Sequence, residues 1–168
     1  MTTIDELLAE LEHEAGITRR VLEQVPEDQL DWRPHARSFT LGQLAFHVAS
    51  LPGALAEVST RPFEASTVIP RPGVESTEQL LALHEESLDA ARRHLVEMGD
   101  AGLGEPWQLV SGDAVLLSLP RGAFLRSTLF NHWYHHRGQL TVYLRQVGAK
   151  VPAIYGDSAD ERVVGVEA

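Results

Sequence analysis

A chain of 168 residues with a formal net charge of -10 can bury a sizeable core, and it is too acidic for a nucleic-acid backbone to be its main partner. With no cysteine it has no disulfide framework, thiolate metal site or cysteine nucleophile, so any bound metal must be held by His, Asp or Glu. Hydrophobic residues at 43% and charged residues at 23% are ordinary for a globular protein; no apolar run approaches the roughly 18 residues of a membrane span, and Met1 to Glu6 does not read as a signal peptide, so a cytoplasmic home is expected.

Ile4, Leu7, Leu8, Leu11, Ala15, Val21, Leu22 and Val25 recur at helical spacing, predicting a first helix near residues 3–25 that Pro26 closes. Asp28 to Arg37, with Trp32 and Pro34, reads as a connection. Ser38 or Thr40 can cap a second helix near 40–59, striped by Leu41, Leu44, Val48, Leu51, Leu55 and Val58. Pro52 lies inside that stripe and predicts a kink. Thr60 to Ser76, rich in proline, reads as a long loop. Ser76 or Thr77 then caps a third helix near 76–99, striped by Leu80, Leu81, His84, Leu88, Ala91, Leu95 and Met98, with Gly99 as its stop.

Residues 100 to 120 lose the helical period. Trp107 to Val110 and Ala114 to Leu117 flank Ser111-Gly112-Asp113 as the arms of a small hairpin would, though their alternation is poor. Pro120 suits the first turn of a fourth helix, which runs to about Val147 and stops at Gly148. With no repeat or linker, residues 1–168 read as one all-α domain. It is expected to be a four-helix bundle, up-and-down or up-down-down-up, with long loops and the small hairpin before its last long helix.

His132 and His136 lie four residues apart, so a helix stacks them on one face. Leu125, Leu129, Leu140, Tyr143, Leu144 and Val147 trace a stripe that places both histidines in its middle. Two imidazoles so placed can share a metal ion if a third ligand comes from another helix. His47 can supply it, because it sits at the border of the second helix's stripe beside Leu44 and Leu51. Three histidines leave coordination positions open, a pattern of catalytic or binding sites rather than closed structural ones. Without a metal the same three would be core histidines needing hydrogen-bond partners. His84 lies on the third stripe as a core residue and rival ligand; His135 should point away; His13, His35 and His94 read as surface or loop residues.

Leu30-Asp31-Trp32-Arg33-Pro34 followed by Ser38-Phe39-Thr40-Leu41-Gly42-Gln43-Leu44-Ala45-Phe46-His47 resembles the first signature of the DinB-like (DinB/YfiT) superfamily. Asn131 to Leu140, continuing through Tyr143-Leu144-Arg145, Gly148 and Val151-Pro152, resembles the second. The likeness runs through nearly the whole chain in the expected order. It implies a four-helix bundle with one metal ligand on the second helix and two on the fourth, here His47, His132 and His136. Nitrogen ligands suit zinc and nickel foremost, with iron, cobalt and copper also accommodated. The resemblance further implies pairing into a homodimer, and activities such as those of relatives that are thiol-dependent S-transferases or isomerases. A small-molecule thiol and an electrophile are then the substrates, with neither nucleic acid nor membrane as partner. A metal-dependent hydrolase and a non-enzymatic, metal-stabilised stress-response or ligand-binding module are the alternatives. No Asp or Glu sits at an obvious base position beside the triad, which favours thiol chemistry over hydrolysis.

No catalytic residue is fixed by the sequence; Tyr143, Gln139 and Arg137 are the candidates. Gln139 and Tyr143 follow His136 by three and seven residues and could donate to a metal-bound ligand. Arg137 could bind an anion or make a structural salt bridge. Gly138 reads as a close-packing position, Trp32 and Trp133 as packing aromatics, and Asp157 to Glu161 as a solvated acidic segment rather than a calcium loop.

Overall fold

The computed structural model describes residues 2–70 and 72–163. Its long helices are α1 (Ile4–Leu22), α2 (Leu41–Val58), α3 (Thr77–Leu103) and a last helical run made of α4 (Arg121–Phe124), a π-helical turn (Leu125–Phe130) and α5 (Asn131–Gln146). Thr3 starts α1 through a capping box, its hydroxyl accepting from the Glu6 N–H while Glu6 accepts from the Thr3 N–H. Thr40, rather than Ser38, does the same for α2 with Gln43. Ser76 caps α3. Gly99 breaks the regular dihedrals of α3 with a φ of 59°, and one further turn carries the chain to Leu103.

Helix α2 packs against α3 and α5, and α1 against the same two. Leu7, Leu11 and Leu22 of α1, Leu41, Leu44 and Val48 of α2, Leu80 and Leu95 of α3, and Leu125, Leu129 and Trp133 of the last run meet in one core. Among the described residues no helix is long and apolar enough to cross a membrane.

The all-α expectation is corrected by a three-stranded sheet. Strand β2 (Pro106–Ser111) and strand β3 (Ala114–Pro120) form the expected hairpin, antiparallel, with a bulge between Leu109 and Val110. The 60–76 segment is not loop throughout: Phe63 and Glu64 form β1, parallel to β2, in the order β1-β2-β3. Two residues give too short a period-2 signal to read from sequence. Trp107 ties the sheet to the helices by donating from Nε1 to the Val58 carbonyl at 3.0 Å and packing on Phe124.

Pro52 opens the backbone ladder of α2 without ending the helix. Its missing N–H deprives the Val48 carbonyl of its usual partner, and Trp133 of α5 supplies one, donating from Nε1 at 3.0 Å. The Gly53 N–H donates instead to Ser87 Oγ of α3 at 2.8 Å, and that hydroxyl donates to the Ser50 carbonyl at 3.0 Å. A Cβ on Gly53 would lie 2.6 Å from the Ser87 carbonyl oxygen, so this approach of α2 and α3 requires glycine. Ser87→Ala should leave a buried N–H unpaired and cost about 1–3 kcal/mol in urea unfolding. An unchanged midpoint would mean that α2 closes the bond itself.

The last helical run departs from its expected stripe in an instructive way. Extending Leu125 and Leu129 at 3.6 residues per turn arrives at His132 and His136. The π turn accommodates an additional residue, and the buried face moves on to Phe130, Trp133, Arg137, Leu140 and Leu144. His132 and His136 are thereby turned to the edge of the core, where each is half-buried.

Candidate metal centre

His47 of α2 and His132 and His136 of α5 converge at that edge, with one potential ligand nitrogen from each lying within 4.8 Å of the others. The rings are 4.6 Å (His47–His136), 5.4 Å (His47–His132) and 4.5 Å (His132–His136) apart by centroid. Phe39, just ahead of the α2 cap, packs on His47 at 5.8 Å and on His136 at 6.4 Å and walls one side.

Hydrogen bonds set the tautomers. His136 Nδ1 lies 2.7 Å from Gln139 Oε1, an acceptor, so His136 donates there and keeps a lone pair on Nε2. The ring of His132 bonds back to the Thr128 backbone inside the π turn. Burial, the largest influence, pushes both histidines below their ordinary value and favours the neutral form. The two Nε2 atoms face each other 2.7 Å apart. With each ring's N–H committed elsewhere, two lone pairs meet, and a cation is what such a donor set fits. The group contains no carboxylate, so a divalent ion there would keep its full positive charge toward an incoming anion.

Gln139, Tyr143 and Arg137, the catalytic candidates, each meet a specific neighbour. Gln139 accepts from His136 Nδ1 through Oε1, a positioning role. Its helical offset of three was legible in the sequence; its direction was not. Gln139→Leu should weaken Zn²⁺ binding roughly 10–100-fold by calorimetry while the helical circular dichroism stays unchanged. Tyr143 packs edge-on against Trp32, centroids 5.5 Å apart. Arg137 is 1% exposed and makes the structural salt bridge, to Glu14 at 2.6 Å, with Thr18 Oγ1 at 3.0 Å and the Tyr155 hydroxyl as further partners. That buried network was missed: Glu14 and Tyr155 lie 123 and 18 residues from Arg137, and no local pattern joins them.

His84 is fully buried in α3 with Nε2 near the Ala15 carbonyl at 3.3 Å, outside the triad. His135 is exposed and also outside it. Gly138 is exposed and a Cβ there would meet nothing, so it does not serve close packing. The 157–161 segment is not simply solvated: Asp160 pairs with Arg145 at 2.6 Å and accepts from the Val151 N–H, and Glu161 pairs with Arg20.

Known proteins resemble this chain over nearly its whole length. The sequence model of the DinB family matches residues 1–162. The uncharacterised protein YrdA of Bacillus subtilis (strain 168) is 29% identical over 162 residues, 95% of this chain and 92% of its own. A DinB-like protein from Bacillus cereus ATCC 10987 superposes with a TM-score of 0.74 at 27% identity, over 91% of this chain and 98% of that one. The DinB-like protein YjoA of Bacillus subtilis shares the fold, with a TM-score of 0.68 at 18% identity over 89% and 97% of the two chains. With a family match that spans helices, sheet and histidine triad alike, this chain belongs to the DinB family.

Proposed function

We propose that the protein is one DinB-like domain, a four-helix bundle that binds a divalent metal through His47, His132 and His136 and uses it in thiol-transfer chemistry. The observation that carries this reading is the convergence of three imidazoles from two helices, with the Nε2 atoms of His132 and His136 turned toward each other and no carboxylate among them. Zinc or nickel suits such a nitrogen set. Bound there, the ion would supply Lewis acidity that lowers the pKa of a coordinated thiol.

The protein's own contribution is to orient and to exclude. Gln139 and the Thr128 backbone hold the His136 and His132 rings in one tautomer. Phe39 shields one side of the triad from water. A thiol is favoured over a hydrolytic water as the nucleophile, because no carboxylate joins the group to act as a strong base. Low-molecular-weight thiols are kept reduced in the cytoplasm, where we place the protein.

Elemental analysis of the purified protein, followed by a panel of low-molecular-weight thiols against an aromatic halide electrophile, tests the reading. One metal per chain and thiol-dependent conjugation that is lost in His47→Ala support it. A full metal complement with ester hydrolysis and no conjugation would favour the hydrolase, and a full complement with neither activity would favour a metal-stabilised binding module.

A further inference from the structure

The loop ahead of α2 is closed by its own backbone and laid against the triad. The Leu41 N–H donates to the Trp32 carbonyl at 2.8 Å and the Gly42 N–H to the Leu30 carbonyl at 2.9 Å, which together form a neck. Beyond the neck a tight turn joins the Ser38 N–H to the His35 carbonyl at 2.9 Å. Two aromatic side chains seat the loop. Phe39 packs on the rings of His47 and His136, and Trp32 packs on Tyr143 of α5. His136 and Tyr143 are seven residues apart, so the loop follows α5 for about 10 Å from the triad onward.

The loop's charge is opposite to that of the chain. Positions 33–40 hold Arg33, His35 and Arg37 and no Asp or Glu, in a chain of net charge -10. Asp31, the nearest carboxylate in the sequence, precedes Trp32 and stands outside the loop. Both arginines are exposed, and neither makes a salt bridge among the described residues, whereas Arg19, Arg92, Arg121, Arg126, Arg137 and Arg145 are each held by a carboxylate. His35 Nδ1 accepts from the Arg37 N–H at 3.1 Å, which puts the ring's own N–H on Nε2 as a further donor. A guanidinium with no carboxylate from its own chain is free to take one from a ligand, and its planar fork matches a carboxylate in two parallel bonds. Arg37 stands two residues from Phe39, a backbone span of at most about 7 Å, and Phe39 touches two of the triad's rings.

We propose that Arg33 and Arg37 are specificity residues, binding the carboxylate of a carboxylate-bearing thiol whose sulfur lies at the triad. The inference rests on the thiol-transfer reading of that site and names its substrate class. The acidic chain repels an anion at long range. An anionic thiol therefore needs a local cationic patch, and this loop puts one beside the histidines. Its backbone is closed on itself and Pro34 restricts it, so little order is lost when the anion arrives.

Calorimetry on the Zn²⁺-loaded protein tests this with three probes: mercaptosuccinate, a thiol with two carboxylates; 1-thioglycerol, an uncharged thiol; and succinate, which has the carboxylates without the sulfur. Mercaptosuccinate should bind roughly 10-fold more tightly than 1-thioglycerol, and the advantage should shrink in about 1 M salt. The double variant Arg33→Gln/Arg37→Gln should bring the two thiols near parity, with metal stoichiometry and melting temperature unchanged. Arg93→Gln, which removes an exposed arginine of α3 that also lacks a salt bridge, should leave the preference intact. Equal binding of the two thiols by the wild type, or a preference that the double variant keeps, overturns the proposal and leaves the thiol chemistry standing. If neither thiol binds, the thiol-transfer reading fails and succinate decides the loop alone. Succinate binding that the double variant loses and Arg93→Gln keeps upholds the two arginines as an anion site; binding that is absent, or that survives the double variant, overturns it.

Discussion

His132→Ala should abolish metal uptake and, with it, the effect of a chelator on stability. The wild-type protein, purified with its metal, should melt at a lower temperature when chelator is added near neutral pH, because an ion bound only by the folded state stabilises it. The variant should melt at the chelated wild-type temperature with or without chelator. The stripped protein should remain folded, since Leu7, Leu11, Leu44, Leu80, Leu95 and their neighbours build a core that does not depend on the histidines. The pH dependence has a definite sign. Burial holds His132 and His136 below the ordinary 6.5 of a histidine. Above 6.5 both folded and unfolded chains carry them neutral and no cost arises. As pH falls below that value, the unfolded chain takes up protons that the folded site resists. Stability is therefore lost progressively until the folded values are passed. Metal competes with the same protons and makes the loss steeper. Chelator should thus act strongly at about pH 7.5 and hardly at all at about pH 4.5, where protons have displaced the ion. A melting curve indifferent to chelator, in protein that elemental analysis finds metal-free, would return the three residues to ordinary buried histidines.

Arg137→Leu should be the most destabilising single change outside the apolar core. Its guanidinium and the Glu14 carboxylate are 1% and 7% exposed, so removing one partner strands the other charge out of water. The expected cost is about 3–5 kcal/mol in urea unfolding. Glu14→Leu should cost a similar amount, and the double variant should recover most of the loss, because no charge is then left unpaired. Metal stoichiometry should survive in whatever Arg137→Leu folds. An unchanged unfolding midpoint with a raised KM for an anionic substrate would instead restore Arg137 to the substrate-binding role that its place in the second motif suggests.

The sequence made the helices legible because their apolar positions repeat and their caps are explicit, as at Thr3, Thr40 and Ser76. It made the histidine triad legible because a spacing of four and a stripe border are local properties. The π turn was not legible. It shifts the buried face by one residue without altering composition, and so exchanges Trp133 and Arg137 for the histidines at the centre of the core. The Arg137–Glu14–Tyr155 network was hidden for a different reason: its partners are distant in sequence and individually unremarkable. Strand β1 was too short to show alternation, and β3 alternates poorly because side chains on both of its faces stay exposed.

Pro52 has a reach that its place in α2 does not announce. The carbonyl it releases belongs to Val48, and the indole that takes it belongs to Trp133. Val48 follows His47, and Trp133 follows His132. A single hydrogen bond therefore ties α2 to α5 one residue away from a triad histidine on each side, like a spacer clamped beside a gap. The separation of the triad's two helices is thus held by a ring closure five residues down the chain from His47, in a proline outside the triad.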